Sequence, residues 1–262
     1  MRKNEKPGYA AQCFTLFTKP QEQEVTYFKL SELNEKTKEE FLAAFKTVPD
    51  TANYLDLETN DLHLHVDESI EAISHLSAWL TSLDLSFNCL GDELTGNKLP
   101  KLVAAVNSNI HFVNLTGNYL GMKSVSQLEA AFKSFHQKLE SLNLSFNDFN
   151  VQAIDHLVQI AQALPLSLKK LNLIGNDLGE KSTDELVRFF SALSEHKQLR
   201  YIDLRENQFE PEQIAAIKGC LPHVKGLYFS DEDFENTETS EFNIGKAFIA
   251  EAALGSSEFT YS

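Results

Sequence analysis

The chain has 262 residues, of which 42% are hydrophobic and 23% charged, a composition typical of a folded globular protein and not of a disordered one. Acidic residues outnumber basic residues 38 to 23, and the net charge of −15 disfavours binding to nucleic acid or to an anionic membrane. Cys13, Cys89 and Cys220 form no closely spaced pair, so we expect a reducing compartment and no disulfide framework.

Residues 1–24 lie outside any repeated pattern and are predicted to form an N-terminal arm or cap. The basic Arg2, Lys3 and Lys6 are not followed by an apolar core with a small-residue cleavage site, so we expect no secretory signal peptide. No stretch of about 18 apolar residues predicts a membrane-spanning helix. We therefore expect a cytoplasmic protein that does not insert into membranes.

Between residues 25 and 235 the phrase L-x-x-L-x-L-x-x-N-x-L recurs at intervals of about 28 residues, giving about eight repeats. The first and last copies are degenerate, with Leu33 and Glu232 in place of the asparagine. The L-x-L alternation predicts one short strand in each copy. The asparagines are predicted to form a structural ladder that satisfies buried backbone groups, and they are Asn60, Asn88, Asn118, Asn147, Asn176 and Asn207.

Helices of three to four turns are predicted between the strands, because apolar residues recur there at helical spacing. Capping-box spacing marks three of their starts, at Thr37 with Glu40, Ser124 with Gln127 and Ser182 with Glu185, and Pro211 fits the first turn of another helix. Such strand-and-helix units can bury their apolar faces only by stacking side by side. The sequence therefore predicts an α/β solenoid, which residues 236–262 are expected to close with a C-terminal cap and tail.

The phrase and the repeat length resemble those of leucine-rich repeat proteins of the ribonuclease-inhibitor-like subfamily. The resemblance implies a horseshoe-shaped solenoid with a parallel β-sheet on its concave face and α-helices on its convex face. The near-identical S-F-N, T-G-N and I-G-N segments also resemble those of leucine-rich repeat effectors from bacteria of the Legionella type. That second resemblance implies action in the host-cell cytosol, with residues 251–262 serving either as a secretion signal or as part of the cap.

Strand alternation places three residues of each repeat on the concave face, such as Tyr54, Asp56 and Glu58. Tyrosines and a phenylalanine recur there and are expected to face solvent as anchors for a partner, whereas the short polar residues also suit a closely spaced strand ladder. We expect Phe87 and Phe146 to lie in the edge of the core. The predicted partner-binding residues are Tyr27, Tyr54, Asp56, Glu58, Asp84, Phe112, Asn114, Asn143, Lys170, Asn172, Tyr201, Asp203, Arg205 and Tyr228.

These residues lead to the hypothesis of a non-enzymatic scaffold, monomeric when free, that binds one folded protein in a 1:1 complex. The acids of the first repeats predict a basic patch on that partner. The family resemblance implies that binding inhibits a partner enzyme by covering its active-site cleft. The alternative is an adaptor or substrate-recognition subunit in ubiquitin transfer, or a regulator of a GTPase.

Catalytic and metal-binding motifs are missing from the sequence, which has no P-loop, G-x-S-x-G or H-E-x-x-H pattern. His63 and His65 lie near Asp61, but their alternation with leucines is typical of a loop after a strand. Cys89 could act as a nucleophile with a histidine such as His111 as base, but an ordinary variable loop position explains Cys89 better. We therefore expect no catalytic residues, no cofactor and no metal.

Overall fold

The structure, a computed structural model, describes residues 26–235, with only the backbone of residues 234 and 235. In this part of the chain eight three-residue strands form one parallel sheet in sequential order. The predicted N-terminal arm and the predicted C-terminal cap and tail lie outside the described residues. The strands are β1 (Tyr27–Lys29), β2 (Tyr54–Asp56), β3 (Ser82–Asp84), β4 (Phe112–Asn114), β5 (Ser141–Asn143), β6 (Lys170–Asn172), β7 (Tyr201–Asp203) and β8 (Gly226–Tyr228).

The strand register agrees with the phase of the repeated phrase. The middle residue of each strand pairs with the middle residue of the next, as Leu55 does with Leu83 and Leu83 with Val113. These residues point into the core, and the first and third residues of each strand point away from it, forming the concave face. The predicted leucine-rich repeat solenoid is confirmed.

Helices connect the strands along the opposite side of the core. The capping boxes predicted at Thr37, Ser124 and Ser182 are present, and the helix predicted to start at Pro211 begins there. The helices are α1 (Lys38–Phe45), α2 (Val66–Ser74), α3 (Leu99–Ala105), α4 (Val125–Lys133), α5 (Ile154–Ala163), α6 (Thr183–Leu193), α7 (Pro211–Cys220) and α8 (Asp231–Glu235).

Helices α1 to α5 and α7 are shorter than the three turns predicted, and before α2 to α5 a short 3-10 helix takes up part of the chain. The longest, α6, has 11 residues, and α3 has only 7. A 3-10 turn follows five of the strands, and these turns are Leu62–Leu64, Glu93–Thr95, Leu120–Met122, Phe149–Val151 and Leu178–Glu180. Each of them begins two or more residues after a ladder asparagine, so the loops beyond the strand ends have regular structure.

One continuous apolar core runs between the sheet and the helices. The leucines of the phrase are its main component, as Leu55, Leu83 and Leu90 are completely buried. Full burial of one such side chain contributes about 1.5–3 kcal/mol relative to exposure. Because each repeat shares this core with its neighbours, no single repeat could retain that burial alone.

Each ladder asparagine satisfies backbone groups of the repeat before it. The Asn88 Oδ1 accepts from the backbone N–H of Asn60 at 2.9 Å and of Leu62 at 3.3 Å. The Asn88 Nδ2 donates to the carbonyls of Leu57 at 2.9 Å and Ser86 at 3.0 Å. The same arrangement recurs at Asn118, so the amides link successive repeats through buried hydrogen bonds.

The residues on both sides of each ladder asparagine have left-handed backbone conformations. Phe87 and Cys89 have φ values of 54° and 53° on either side of Asn88, although neither residue type favours this region. The position before the asparagine is a glycine in two other repeats, at Gly117 and Gly175. A Cβ at Gly117 would lie 2.4 Å from Cε1 of Phe87, so that glycine also makes room for the ring from the preceding repeat.

Replacing Asn118 with alanine is expected to lower the free energy of unfolding by about 3 kcal/mol or more, because it leaves the backbone N–H groups of Asn88 and Leu90 buried without an acceptor. Urea denaturation followed by circular dichroism measures the change. The control is Asn150→Ala, which removes a hydrogen bond to Glu180 at the surface and is expected to cost less than about 1 kcal/mol. Equal losses in the two variants would contradict the ladder's role.

Candidate protein-binding surface

The acidic end of the concave face is neutralised within the protein. The Tyr27 hydroxyl donates to Asp56, and the Lys29 ammonium lies 3.2 Å from the same carboxylate and 3.3 Å from Glu58. Asp56 is completely buried, whereas Glu58 is only partly so. Of the two acids, Glu58 is therefore the one that reaches the surface.

Asp84, on the next strand, is also completely buried and accepts several hydrogen bonds. The Tyr54 hydroxyl and the Asn114 Nδ2 each donate to its Oδ2 at 3.0 Å, and the Ser86 hydroxyl donates to its Oδ1 at 2.6 Å. Burial raises the pKa of the Asp84 carboxyl to about 6, although the hydrogen bonds from Ser86 and Asn114 act to lower it. The Asp84 carboxylate therefore holds side chains of three successive strands together through buried hydrogen bonds.

The expectation that the concave aromatic rings face solvent is wrong for Tyr54, Phe112 and Tyr228, which are only 2–3% exposed. Tyr54 and Phe112 form a separate apolar cluster, which the small Ser82 on the strand between them permits. Tyr27 is 37% exposed and its ring centroid lies 5.0 Å from that of Tyr54.

At the last strand the aromatic side chains occupy the space next to a glycine. A Cβ at Gly226 would lie 2.3 Å from the hydroxyl oxygen of Tyr228 and 2.6 Å from Cδ1 of Tyr201. Tyr228 therefore folds back over its own strand, and Tyr201 is partly exposed. Where a small residue, such as Ser82 or Gly226, lies on a neighbouring strand position, an aromatic side chain can pack against the sheet and be buried.

The predicted exposure of Arg205 and Asp203 is also wrong, because the two side chains are buried and paired with each other. The Arg205 guanidinium donates to Asp203 at 2.8 and 3.0 Å and to Asp231 at 2.6 Å. These carboxylates raise the pKa of Arg205 against the opposing effect of burial. The pair connects the seventh strand to helix α8, and Lys170 remains partly exposed nearby.

The asparagines at the third position of strands β4, β5 and β6 are buried and make hydrogen bonds within the protein. Asn143 Oδ1 accepts from the backbone N–H and the hydroxyl of Ser145 at 3.0 and 2.8 Å, and Asn172 Oδ1 accepts from the Ile174 N–H at 2.9 Å. Asn114 is equally buried. Their hydrogen bonds favour the second interpretation of these residues, that short polar side chains suit a closely spaced strand ladder.

Exposed apolar side chains lie instead on the loops that follow the strands, which we call the rim. Phe87, Tyr119 and Phe146 are 38–47% exposed there, so the expectation that Phe87 and Phe146 lie in the core edge is wrong. The left-handed backbone directs these residues away from the core, and each phenylalanine lies against the glycine of the next repeat. The sequence offers only a weak signal for this, namely the alternation of Phe87, Gly117, Phe146 and Gly175 before the ladder asparagines.

A second exposed apolar row runs along the 3-10 helices of the rim. Leu64, Met122 and Val151 follow a buried leucine or phenylalanine of the phrase by two residues and Leu94 follows one by four, so the repeated phrase itself does not include them. Its side chains are 53–66% exposed, and they are Leu64, Leu94, Met122 and Val151. Together the two rows cross four consecutive repeats.

The structure does not support the candidate catalytic pair. Cys89 follows β3, whereas His111 precedes β4 and contacts the Lys138 carbonyl at 3.1 Å, so the two residues lie at opposite edges of the parallel sheet. Burial and the carboxylates of Asp61 and Asp92 raise the pKa of the Cys89 thiol, which opposes formation of a reactive thiolate.

The repeated phrase, the asparagine ladder and the eight-stranded parallel sheet define a leucine-rich repeat solenoid fold. A sequence profile described as leucine-rich repeat matches residues 77–93 and 135–152. The crystal structure of the leucine-rich repeat-containing protein LegL7 from Legionella pneumophila is similar, with 29% identity and a TM-score of 0.71 over 86% of this chain and 70% of that chain. The comparison with curated proteins gave no match. Within residues 26–235, no helix has the length and apolar character needed to cross a membrane.

The raised pKa of Asp84 predicts a specific pH dependence of stability. Because the folded protein holds the Asp84 proton more tightly than the unfolded chain, the contribution of this residue to stability falls as the pH rises through about 6. The stability of the parent relative to Asp84→Asn is expected to fall by about 1 kcal/mol between about pH 5.3 and 7.5. Urea denaturation at both pH values measures this difference, and a constant difference would contradict the assignment.

Proposed function

We propose that this protein is a non-enzymatic scaffold that binds one folded protein along its rim. The observation that carries this proposal is the presence of seven apolar side chains, each 38–66% exposed, on the loops after four consecutive strands. With strands about 4.8 Å apart, the two rows extend for about 15 Å. A single exposed apolar residue needs no explanation, but seven of them on four adjacent loops are typical of an interaction surface.

Negative charge on the rim favours a partner with a basic patch. Asp148 and Asp177 lie at equivalent positions in adjacent repeats, and burial together with the charge of Asp177 raises the pKa of Asp148. Asp92 and Glu93 belong to the same set of loops. A basic partner surface would relieve this repulsion, in addition to the attraction expected from the net charge of −15.

The concave residues that keep surface exposure extend the proposed site. Tyr27 and Glu58 lie at one end of the sheet, and Lys170 and Tyr201 lie toward the other. A partner seated on the rim and reaching over the sheet would contact these side chains, while the buried carboxylates and asparagines hold the sheet rigid beneath it. We propose a 1:1 complex, since the rim provides one continuous surface.

We further propose that this protein acts as a bacterial effector or effector regulator in a host-cell cytosol, and its similarity to a leucine-rich repeat-containing protein of Legionella pneumophila agrees with the Legionella-type repeats of its sequence. The consequence of binding that we propose is inhibition of a partner enzyme, because a rim and a curved sheet are suited to covering the cleft of a globular protein. On the rim and the concave face of the described residues, the exposed charged and aromatic side chains do not form a cluster that resembles a catalytic site.

The double variant Phe87→Gly with Phe146→Gly tests the rim. Both residues have positive φ, and glycine occupies the same position in two other repeats, so the variant is expected to fold normally. Loss of two aromatic anchors is expected to weaken partner binding by about 30-fold or more. The partner is captured from host-cell lysate with the full chain, and its affinity is then measured by isothermal titration calorimetry.

The matched control is Trp79→Ala with Leu166→Ala. These residues are 72% and 58% exposed, but they precede β3 and β6 and therefore lie at the opposite edge of the sheet. We expect the control to bind like the parent. If the control loses affinity and the rim variant does not, the surface is misassigned, and if the captured enzyme keeps full activity in the complex, inhibition is wrong.

A further inference from the structure

Packing favours glycine at one position of the rim loops, which three repeats fill with glycine and the other three with His63, Asn150 or Glu210. The third residue after the ladder asparagine is Gly91, Gly121 or Gly179 in three repeats, and a Cβ there would lie 1.9–2.4 Å from a backbone carbonyl of the next repeat. The corresponding residue after Asn60 is His63. Its N–H lies 3.3 Å from the carbonyl of the next ladder asparagine, compared with 2.7 Å for Gly91, so the imidazole is accommodated by a wider spacing.

The adjacent repeat carries a cysteine at a second rim position, where the residue type varies between repeats. The residue directly after the ladder asparagine has positive φ in each repeat from Asp61 to Gln208, and aspartate is the most frequent type there. Cys89 occupies this position with φ of 53°. A cysteine has no conformational advantage in the left-handed region, which favours glycine, asparagine and aspartate.

The fold brings these two unusual residues together with Asp61. One ring nitrogen of His63, the Cys89 sulfur and one carboxylate oxygen of Asp61 all lie within 4.8 Å of one another. The Nδ1 of His63 is excluded from solvent and makes no hydrogen bond within the described part of the chain. Asp61 is oriented by Asn34, whose Nδ2 donates to its Oδ2 at 3.1 Å.

We propose that Asp61, His63 and Cys89 bind a Zn²⁺ ion between two adjacent repeats. Nitrogen, sulfur and oxygen donors are the ligands that zinc uses in proteins, and three protein ligands leave a fourth tetrahedral position for water or a partner's side chain. Ligand atoms bound tetrahedrally to one zinc ion lie about 3.3–3.8 Å apart. Side-chain rotations that move the three ligand atoms about 1 Å closer together would therefore complete the site. The ion offsets the repulsion between the carboxylate and the thiolate.

His65 does not belong to this site. Its ring lies 5.3 Å from that of Phe41, and its Nε2 is 3.3 Å from the Asn34 carbonyl. The proposed ligands therefore differ from the pair that the sequence places near Asp61, His63 with His65, and the proposal departs from the expectation that the chain holds no metal.

Titration of the reduced, metal-free full-length chain with Zn²⁺, and separately with Co²⁺ as a spectroscopic probe, tests the site. We expect one ion per chain, a near-ultraviolet thiolate-to-cobalt absorption band, and a rise in melting temperature with Zn²⁺. His63→Gly installs the residue that three other repeats carry, so it is expected to fold normally and to weaken Zn²⁺ binding by about 100-fold or more.

Cys89→Asn keeps a residue suited to positive φ and is expected to abolish the thiolate band, whereas Cys220→Ala is a control that retains it. Circular dichroism confirms that each variant is folded. The proposal is overturned if the parent binds neither ion, or if His63→Gly and Cys89→Asn bind Zn²⁺ as tightly as the parent. Since these measurements use no binding partner, their outcome is independent of the proposed rim function.

Discussion

The hydrogen bonding of the ladder asparagines is the constraint on which the rest of the structure depends. After each three-residue strand the chain turns sharply while still buried, so its backbone N–H and C=O groups cannot be solvated. The amide of the next repeat supplies both a donor and an acceptor at the distance of one strand spacing. Every other feature, from the shared leucine core to the position of the rim, follows from repeats held at that spacing.

The turn also determines where exposed apolar groups can lie. Two left-handed residues flank each asparagine, and their side chains point away from both the core and the sheet. Non-glycine residues in this conformation cost about 1–2 kcal/mol each, a cost that the buried hydrogen bonds offset. The rim is therefore the surface where side-chain identity is least restricted by packing, and where Phe87, Tyr119 and Cys89 are tolerated.

The repeat period predicted the strands, their parallel order and the starts of several helices, because these depend on local patterns that recur in the sequence. It did not predict which concave side chains are buried. Whether Tyr54 lies flat depends on Ser82 beside it and on a carboxylate 30 positions away, which no local pattern encodes. The rim escaped prediction for a related reason, since phenylalanine and cysteine give no sequence signal for positive φ.

The ladder has a direction, because each asparagine serves the repeat before it and depends on the one after it. The last ladder asparagine of the described residues is Asn207, and beyond it Asp233 of helix α8 accepts from the N–H groups of Phe229 and Ser230 within its own repeat. A duplicated internal unit would thus bring its own linking amide and fit between existing neighbours. Such a molecule can lengthen during evolution by duplication of a unit in its middle.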